Sequence, residues 1–184
     1  MGRAKENTQG IVAQEDLHAR VRAAQKGDSN AFESLLLEHR ALLFRMAMVR
    51  MRNTAEALDM LDEAIAKGWM KIRTLRDPAL FSAWMARILI NACNDRLRRM
   101  KRTLPLDEQG EIAAALESGD AMLDLRAAVQ TLPEPLYSMI VLKYFDDLTI
   151  EQVAKQMGVP LGTAKSHLHR ALKRLRIIMG EDAE

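Results

Sequence analysis

Apolar positions recur at three- and four-residue intervals along most of the chain, which is the spacing of amphipathic helices. Between Asp16 and Lys26 it puts Leu17, Val21 and Ala24 on one side of a short helix, which Gly27-Asp28 ends. Asn30-Ala31-Phe32-Glu33 reads as a capping box, with Asn30 taking exposed N–H groups and Glu33 reaching back. The helix it opens runs to about Arg52, with Phe32, Leu35, Leu36, His39, Leu43 and Met46 at helical spacing. After Asn53-Thr54, a third helix over roughly Ala55 to Leu75 carries Leu58, Leu61, Ile65, Trp69 and Ile72 on one stripe. Asp59, Asp62 and Glu63 fall on its other side. Asp77-Pro78 marks the next start, since Pro suits a first turn and Asp its cap. From Ala79 a strongly apolar helix carries Leu80, Phe81, Trp84, Met85, Ile88 and Leu89, and ends in the run Arg96 to Arg102.

The pattern then lapses. Thr103 to about Met122 contains Pro105, Gly110, Gly119 and many acids, the composition of a linker. Helical spacing returns over Leu123 to Thr131, Glu134 to Phe145 and Ile150 onward. The expected fold is therefore all-α: two small helical domains joined by a flexible linker. Residues 1–15 form a disordered tail, 16–102 the first domain, 103–122 the linker and 123–179 the second domain.

Composition supports helix. Of 184 residues 48% are hydrophobic but only 4% aromatic, so the apolar content is mostly Ala, Leu, Met, Ile and Val. Long Val/Ile/Thr runs, the mark of strands, are missing. The single Cys93 cannot form an internal disulfide, which suits a reducing, cytoplasmic setting. No apolar run approaches membrane-spanning length, so no membrane insertion is expected. The opening Met1 to Glu6 lacks the apolar stretch of a secretory signal.

The net charge of +2 hides a segregation. Arg87 to Arg102 holds six Lys/Arg and one acid, and Lys165 to Arg176 holds five Lys/Arg, two His and no acid. Between them Asp107 to Asp124 holds six acids and no base. Basic patches of this density are the footprint of phosphate binding, although a solvated lysine-rich helix face gives the same count.

The last part of the chain decides between them. Thr149-Ile150-Glu151-Gln152 is a second capping box, opening a helix with Ile150, Val153, Ala154 and Met157 on one face. Gly158 stands where a helix end needs a left-handed residue. After Val159-Pro160 a longer helix turns Leu161, Ala164, Leu168, Ala171 or Leu172, and Leu175 inward. Lys165, Ser166, His169, Arg170 and Lys173 face outward. A short helix, a glycine turn and a second helix with a basic, hydrogen-bonding face form a helix-turn-helix. Such a helix fits the major groove, where these side chains meet base edges and phosphates. Small Ala154 and Ala164 would let the two helices cross closely.

The segment Leu148 to Ala154, Gly158-Val159-Pro160, and Gly162 to Ala171 also resemble region 4 of sigma-70-type RNA polymerase sigma factors. Asp59-Met60-Leu61-Asp62-Glu63-Ala64, followed by Trp69, is similar to the region 2 helix that grips core polymerase. Phe81 to Ile88, followed by Asn91 to Arg99, resembles the promoter-melting and minus-ten segment. Two regions in this order with a linker and little else resemble the compact extracytoplasmic-function group. The resemblance implies a factor that binds core RNA polymerase and directs promoter-specific initiation, reading two elements and aiding strand opening. It assigns Asp59, Asp62 and Glu63 to the clamp helices of the β′ subunit, and implies contact with the β flap. It lays Asn91, Asp95, Arg96, Arg98 and Arg99 along the minus-ten strand, where unstacked bases need a basic groove. Thr163, Lys165, Ser166, His169, Arg170 and Lys173 would read the minus-thirty-five element. Promoter DNA and an anti-sigma factor complete the implied partners.

Two other readings compete. A conventional helix-turn-helix regulator with a helical sensing domain would need neither the basic Arg87–Arg102 end nor the acidic face before it. An enzyme would need a constellation the sequence lacks. His167 and His169, two residues apart on a helix, point about 200° away from each other. No phosphate-binding glycine loop or nucleophile elbow is present. No catalytic residue, metal site or cofactor is expected.

Overall fold

In a computed structural model, residues 2–103, 121–144 and 148–180 are described, and all their regular structure is helical. Among these residues eight α-helices follow in order: α1 Gly2–Gln25, α2 Ser29–Met51, α3 Thr54–Lys71, α4 Phe81–Thr103, α5 Ala121–Thr131, α6 Leu136–Tyr144, α7 Ile150–Met157 and α8 Leu161–Ile178. Two short 3-10 turns, Ile72–Thr74 and Pro78–Leu80, connect α3 to α4. Of the stretch expected to be a linker, residues 104–120 lie outside the described residues.

Helix starts follow local chemistry, with one displacement. Asp28, not Asn30, caps α2, its carboxylate accepting from the N–H groups of Asn30 and Ala31 at 3.0 and 3.1 Å. Lying ahead of the helix in extended backbone, Asp28 reaches the first orphan donors, and this draws Asn30 into the first turn. Asn53 caps α3 by accepting from Glu56 N–H, and Asp77 caps the turn carrying Pro78. Over the stretch expected to be a tail, α1 reaches back to Gly2. Ala4, Lys5, Glu6, Gln9, Ala13, Gln14 and Glu15 are good helix formers, and each residue added to an existing helix gains a hydrogen bond at little cost.

The first four helices enclose Val21, Phe32, Leu35, Leu43, Met46, Leu61, Phe81, Met85 and Leu89. On α3 the buried face is Ala57, Met60, Leu61, Ala64 and Gly68, while Leu58 and Trp69 from the expected stripe stand 40% and 37% exposed. The reason is proximity. A Cβ on Gly68 would lie 2.6 Å from the Met85 sulfur, so α4 approaches where α3 offers only small residues. Phe81 sits in an aromatic cluster, its ring centroid 6.1 Å from Phe32, 5.7 Å from His39 and 6.2 Å from Trp84.

The last four helices enclose Leu132, Tyr137, Met139, Ile140, Leu142, Val153, Ala164 and Leu175. The capping box of α7 is present in full, Gln152 N–H donating to Thr149 Oγ1 and Thr149 N–H donating to Gln152 Oε1. Gly158 ends α7 at φ 67°. Thr149→Ala removes one partner of an exposed box and is expected to lower unfolding free energy by about 1 kcal/mol, read as a shift in the urea midpoint.

The two halves meet along a polar seam in which α4 packs on α6 and α7. Arg50 on α2 donates to Asn94 Oδ1 from Nε and Nη2, at 3.1 and 2.8 Å, and from Nη1 to the Gln130 carbonyl at 3.1 Å. Its guanidinium also lies over the Tyr137 ring, 4.2 Å from the centroid. Asn94 Nδ2 donates to Glu134 Oε1 at 2.7 Å, and Ser138 holds the other carboxylate oxygen. Further along, Gln156 donates to the Leu80 carbonyl at 3.3 Å, and Lys155 stands 3.4 Å from Asp77.

Candidate nucleic-acid interface

On α8 the buried residues are Ala164, Ala171 and Leu175, with Leu168 and Leu172 half-buried. Leu161, expected inward, is instead 38% exposed at the first residue of the helix, short of the core. The inward set fixes the outward one. Lys165, Ser166, His169, Arg170 and Lys173 are all exposed and share one face, with Thr163 half-buried at its start. Ser166 Oγ donates to the Gly162 carbonyl at 2.9 Å, and Arg170 Nε donates to the Ser166 carbonyl at 3.4 Å. Among the described residues no ion pair involves α8. Ala154 and Ala164 are both buried where α7 and α8 pack. His167 turns aside from the face. Burial and the neighbouring Arg170 lower its pKa, which favours the neutral imidazole.

The candidate residues on α4 divide. Asn91, Asp95, Arg98 and Arg99 are exposed, with Arg98 3.6 Å from Asp95. Arg96 is different. It grips Glu56 on α3 through two hydrogen bonds, Nε to Oε2 at 2.7 Å and Nη2 to Oε1 at 2.6 Å. The guanidinium holds the Glu56 carboxyl below its ordinary pKa, chiefly through those hydrogen bonds. Glu56 carried no signal in sequence, because its partner lies 40 residues away.

On α3, Asp59 and Asp62 are exposed and Glu63 is half-buried, one turn apart on a common face. Glu63 pairs with Lys67 and stands 4.0 Å from Arg99. Exposed Leu58, Trp69 and Met70 lie on the same helix. The acidic helix and the basic end of α4 are therefore adjacent, joined by Glu56–Arg96 and Glu63–Arg99.

Cys93 is buried on α4, and burial pushes its thiol up to about 12. No helix among the described residues is long and apolar enough to cross a membrane.

This arrangement has relatives. Residues 35–103 match the family described as Sigma-70 region 2, and residues 122–175 match Sigma-70, region 4. The RNA polymerase sigma factor SigV of Bacillus subtilis is 31% identical over 144 residues, covering 77% of this chain and 87% of that one. The ECF RNA polymerase sigma factor SigM of Mycobacterium tuberculosis is 32% identical over 156 residues, covering 84% and 80%. Among solved structures, the sigma factor RpoE in complex with the anti-sigma factor NepR from Bartonella quintana superposes with a TM-score of 0.62. That match has 22% identity and covers 82% of this chain and 98% of RpoE, a likeness of fold.

Proposed function

The chain belongs to the sigma-70 family of RNA polymerase sigma factors, in the extracytoplasmic-function group, and from that premise we propose how its surfaces share the work of initiation. As a sigma factor it binds core RNA polymerase and directs promoter-specific initiation. RNA synthesis is the polymerase's chemistry, and this chain supplies specificity and strand opening. The reading as a conventional regulator with a sensing domain gives way to the family.

The carrying observation is the outward face of α8, five exposed hydrogen-bonding or basic side chains with no carboxylate paired to any of them among the described residues. In our reading Lys165, Ser166, His169, Arg170 and Lys173, with Thr163, enter the major groove of the minus-thirty-five element. Asn91, Asp95, Arg98 and Arg99 run along the minus-ten strand. Arg96 joins them only as far as Glu56 releases it, so its first role is to fix α4 against α3. Asp59, Asp62 and Glu63 form the docking face for the β′ clamp helices, and the second half meets the β flap. The likeness to a sigma factor solved with its anti-sigma factor supports a partner of that kind here. Acting on polymerase, the chain works in the cytoplasm.

Transcription in vitro with bacterial core polymerase on a genomic-fragment library tests this. Discrete new starts sharing two spaced elements are expected. Tight duplex binding by the chain alone, with no core binding and no new starts, would return the answer to a conventional regulator. Asp59→Lys combined with Asp62→Lys is expected to weaken core binding at least about tenfold by setting like charges against the partner. Both side chains are exposed, so helical content measured by circular dichroism should not change. Unaltered affinity in an anisotropy titration would remove this face from the docking site.

A further inference from the structure

Among the described residues, sulfur reaches the surface as thioether and not as thiol. Cys93 is buried, and of the methionines whose side chains are described only Met70 and Met100 are exposed, 73% and 37%. Met70 is the most exposed large apolar side chain in that set. Helical phase places it. Met70 follows Asp59 by eleven residues and Glu63 by seven, about three turns and two turns of α3, so it stands on the line those carboxylates define. Trp69 beside it is 37% exposed and is backed by the Phe32 ring, 5.3 Å between centroids. Leu58, 40% exposed, lies at the other end of the face. Aromatic and methionine side chains are enriched where proteins dock, and a flexible thioether adapts to a partner's contour.

We propose that Met70 is a site of reversible oxidation that weakens docking to core polymerase. The consequence rests on the proposed docking face of Asp59, Asp62 and Glu63; the order in which the methionines oxidise does not. With hydrogen peroxide the thioether sulfur attacks one oxygen, and an S–O bond forms as the O–O bond breaks. The hydrogen on the transferred oxygen goes to the departing hydroxide, which leaves as water. Sulfur gives up two electrons, the peroxide accepts them, and the side chain becomes a sulfoxide. No proton has to leave the thioether first, so solvent access rather than ionisation governs the step, and access favours Met70. The product changes what docking costs. A thioether enters an apolar contact with no strong polar group to satisfy, whereas a sulfoxide oxygen loses its water and must find a donor. A methionine sulfoxide reductase returns the thioether, which makes the change reversible.

The test uses the full chain with a fluorophore at its N-terminus. It is treated with graded hydrogen peroxide, the peroxide is removed with catalase, and core polymerase is titrated in while anisotropy is read. Peptide mass mapping should find the added oxygen on Met70 before Met100 or the half-buried Met48, Met157 and Met179. Affinity for core polymerase is expected to fall about tenfold as Met70 oxidises, the weight of one buried apolar side chain. It should return with sulfoxide reductase and not with dithiothreitol. Met70→Gln sets a polar carbonyl near the sulfoxide position and should reproduce the loss without peroxide, with circular dichroism unchanged. Met70→Leu, whatever its starting affinity, should lose none of it on treatment. Earlier oxidation of another described methionine overturns the site. Met70 sulfoxide with unaltered affinity, or a loss that persists in Met70→Leu, overturns its role, and recovery with dithiothreitol would trace the effect to Cys93. Should the untreated chain not bind core polymerase, the docking reading fails and the consequence with it, while the mass map still decides the site. Should oxidation weaken binding where Asp59→Lys with Asp62→Lys does not, the acidic part of the docking face alone is withdrawn.

Discussion

Phe81→Ala is expected to lower the unfolding free energy by about 3–5 kcal/mol, the cost of emptying a fully buried aromatic site. Phe81 opens α4 and has no exposed surface, and its ring is shared by three neighbours on α2 and α4. Its loss therefore leaves a cavity where the helices converge, and the edge-to-face geometry with Phe32 adds to the area lost. Total stabilities of about 5–15 kcal/mol leave little margin for such a change. Urea unfolding should show a lower midpoint, and core polymerase binding should weaken with it, because α3 loses its backing. A midpoint change equivalent to less than about 1 kcal/mol would mean that α4 is not anchored through this ring.

The second large effect falls on DNA, and stability should not change. Arg170→Ala is expected to cost about 1–3 kcal/mol in promoter binding and to relax selectivity at one position, if the side chain meets a base edge. Lys165→Ala, removing a phosphate contact, should weaken all sequences alike and reduce the salt slope by about 1. Combining them should bring the total near the sum, since the two stand more than one helical turn apart on an exposed face. Binding of polymerase holoenzyme to promoter variants across a salt series separates the two signatures. Identical selectivity in Arg170→Ala would take that residue out of base readout.

What the sequence disclosed depended on the distance over which each signal acts. The Thr149/Gln152 box, the left-handed Gly158 and the Asp77-Pro78 start are set within four residues, and each stands where local chemistry puts it. The reading face of α8 was legible for the same reason: Ala164, Ala171 and Leu175 define the inside, and period 3.6 then defines the outside. At Asp28 two neighbours compete for the same donors, and the residue lying ahead of the helix displaces Asn30. On α3 the largest apolar residues drew the stripe, whereas the close approach of α4 at Gly68 selects the smallest ones. Asn94, Gln156 and Glu56 were invisible because their partners sit 40 to 76 residues away, and no local period encodes such pairs.

Burial of Cys93 also silences its chemistry. The thiolate is the form that attacks oxidants and electrophiles, and burial on α4 pushes the Cys93 thiol up to about 12, which leaves little of that form at neutral pH. The chain's one cysteine is thus out of reach of the signalling chemistry that reversible sulfur oxidation supports.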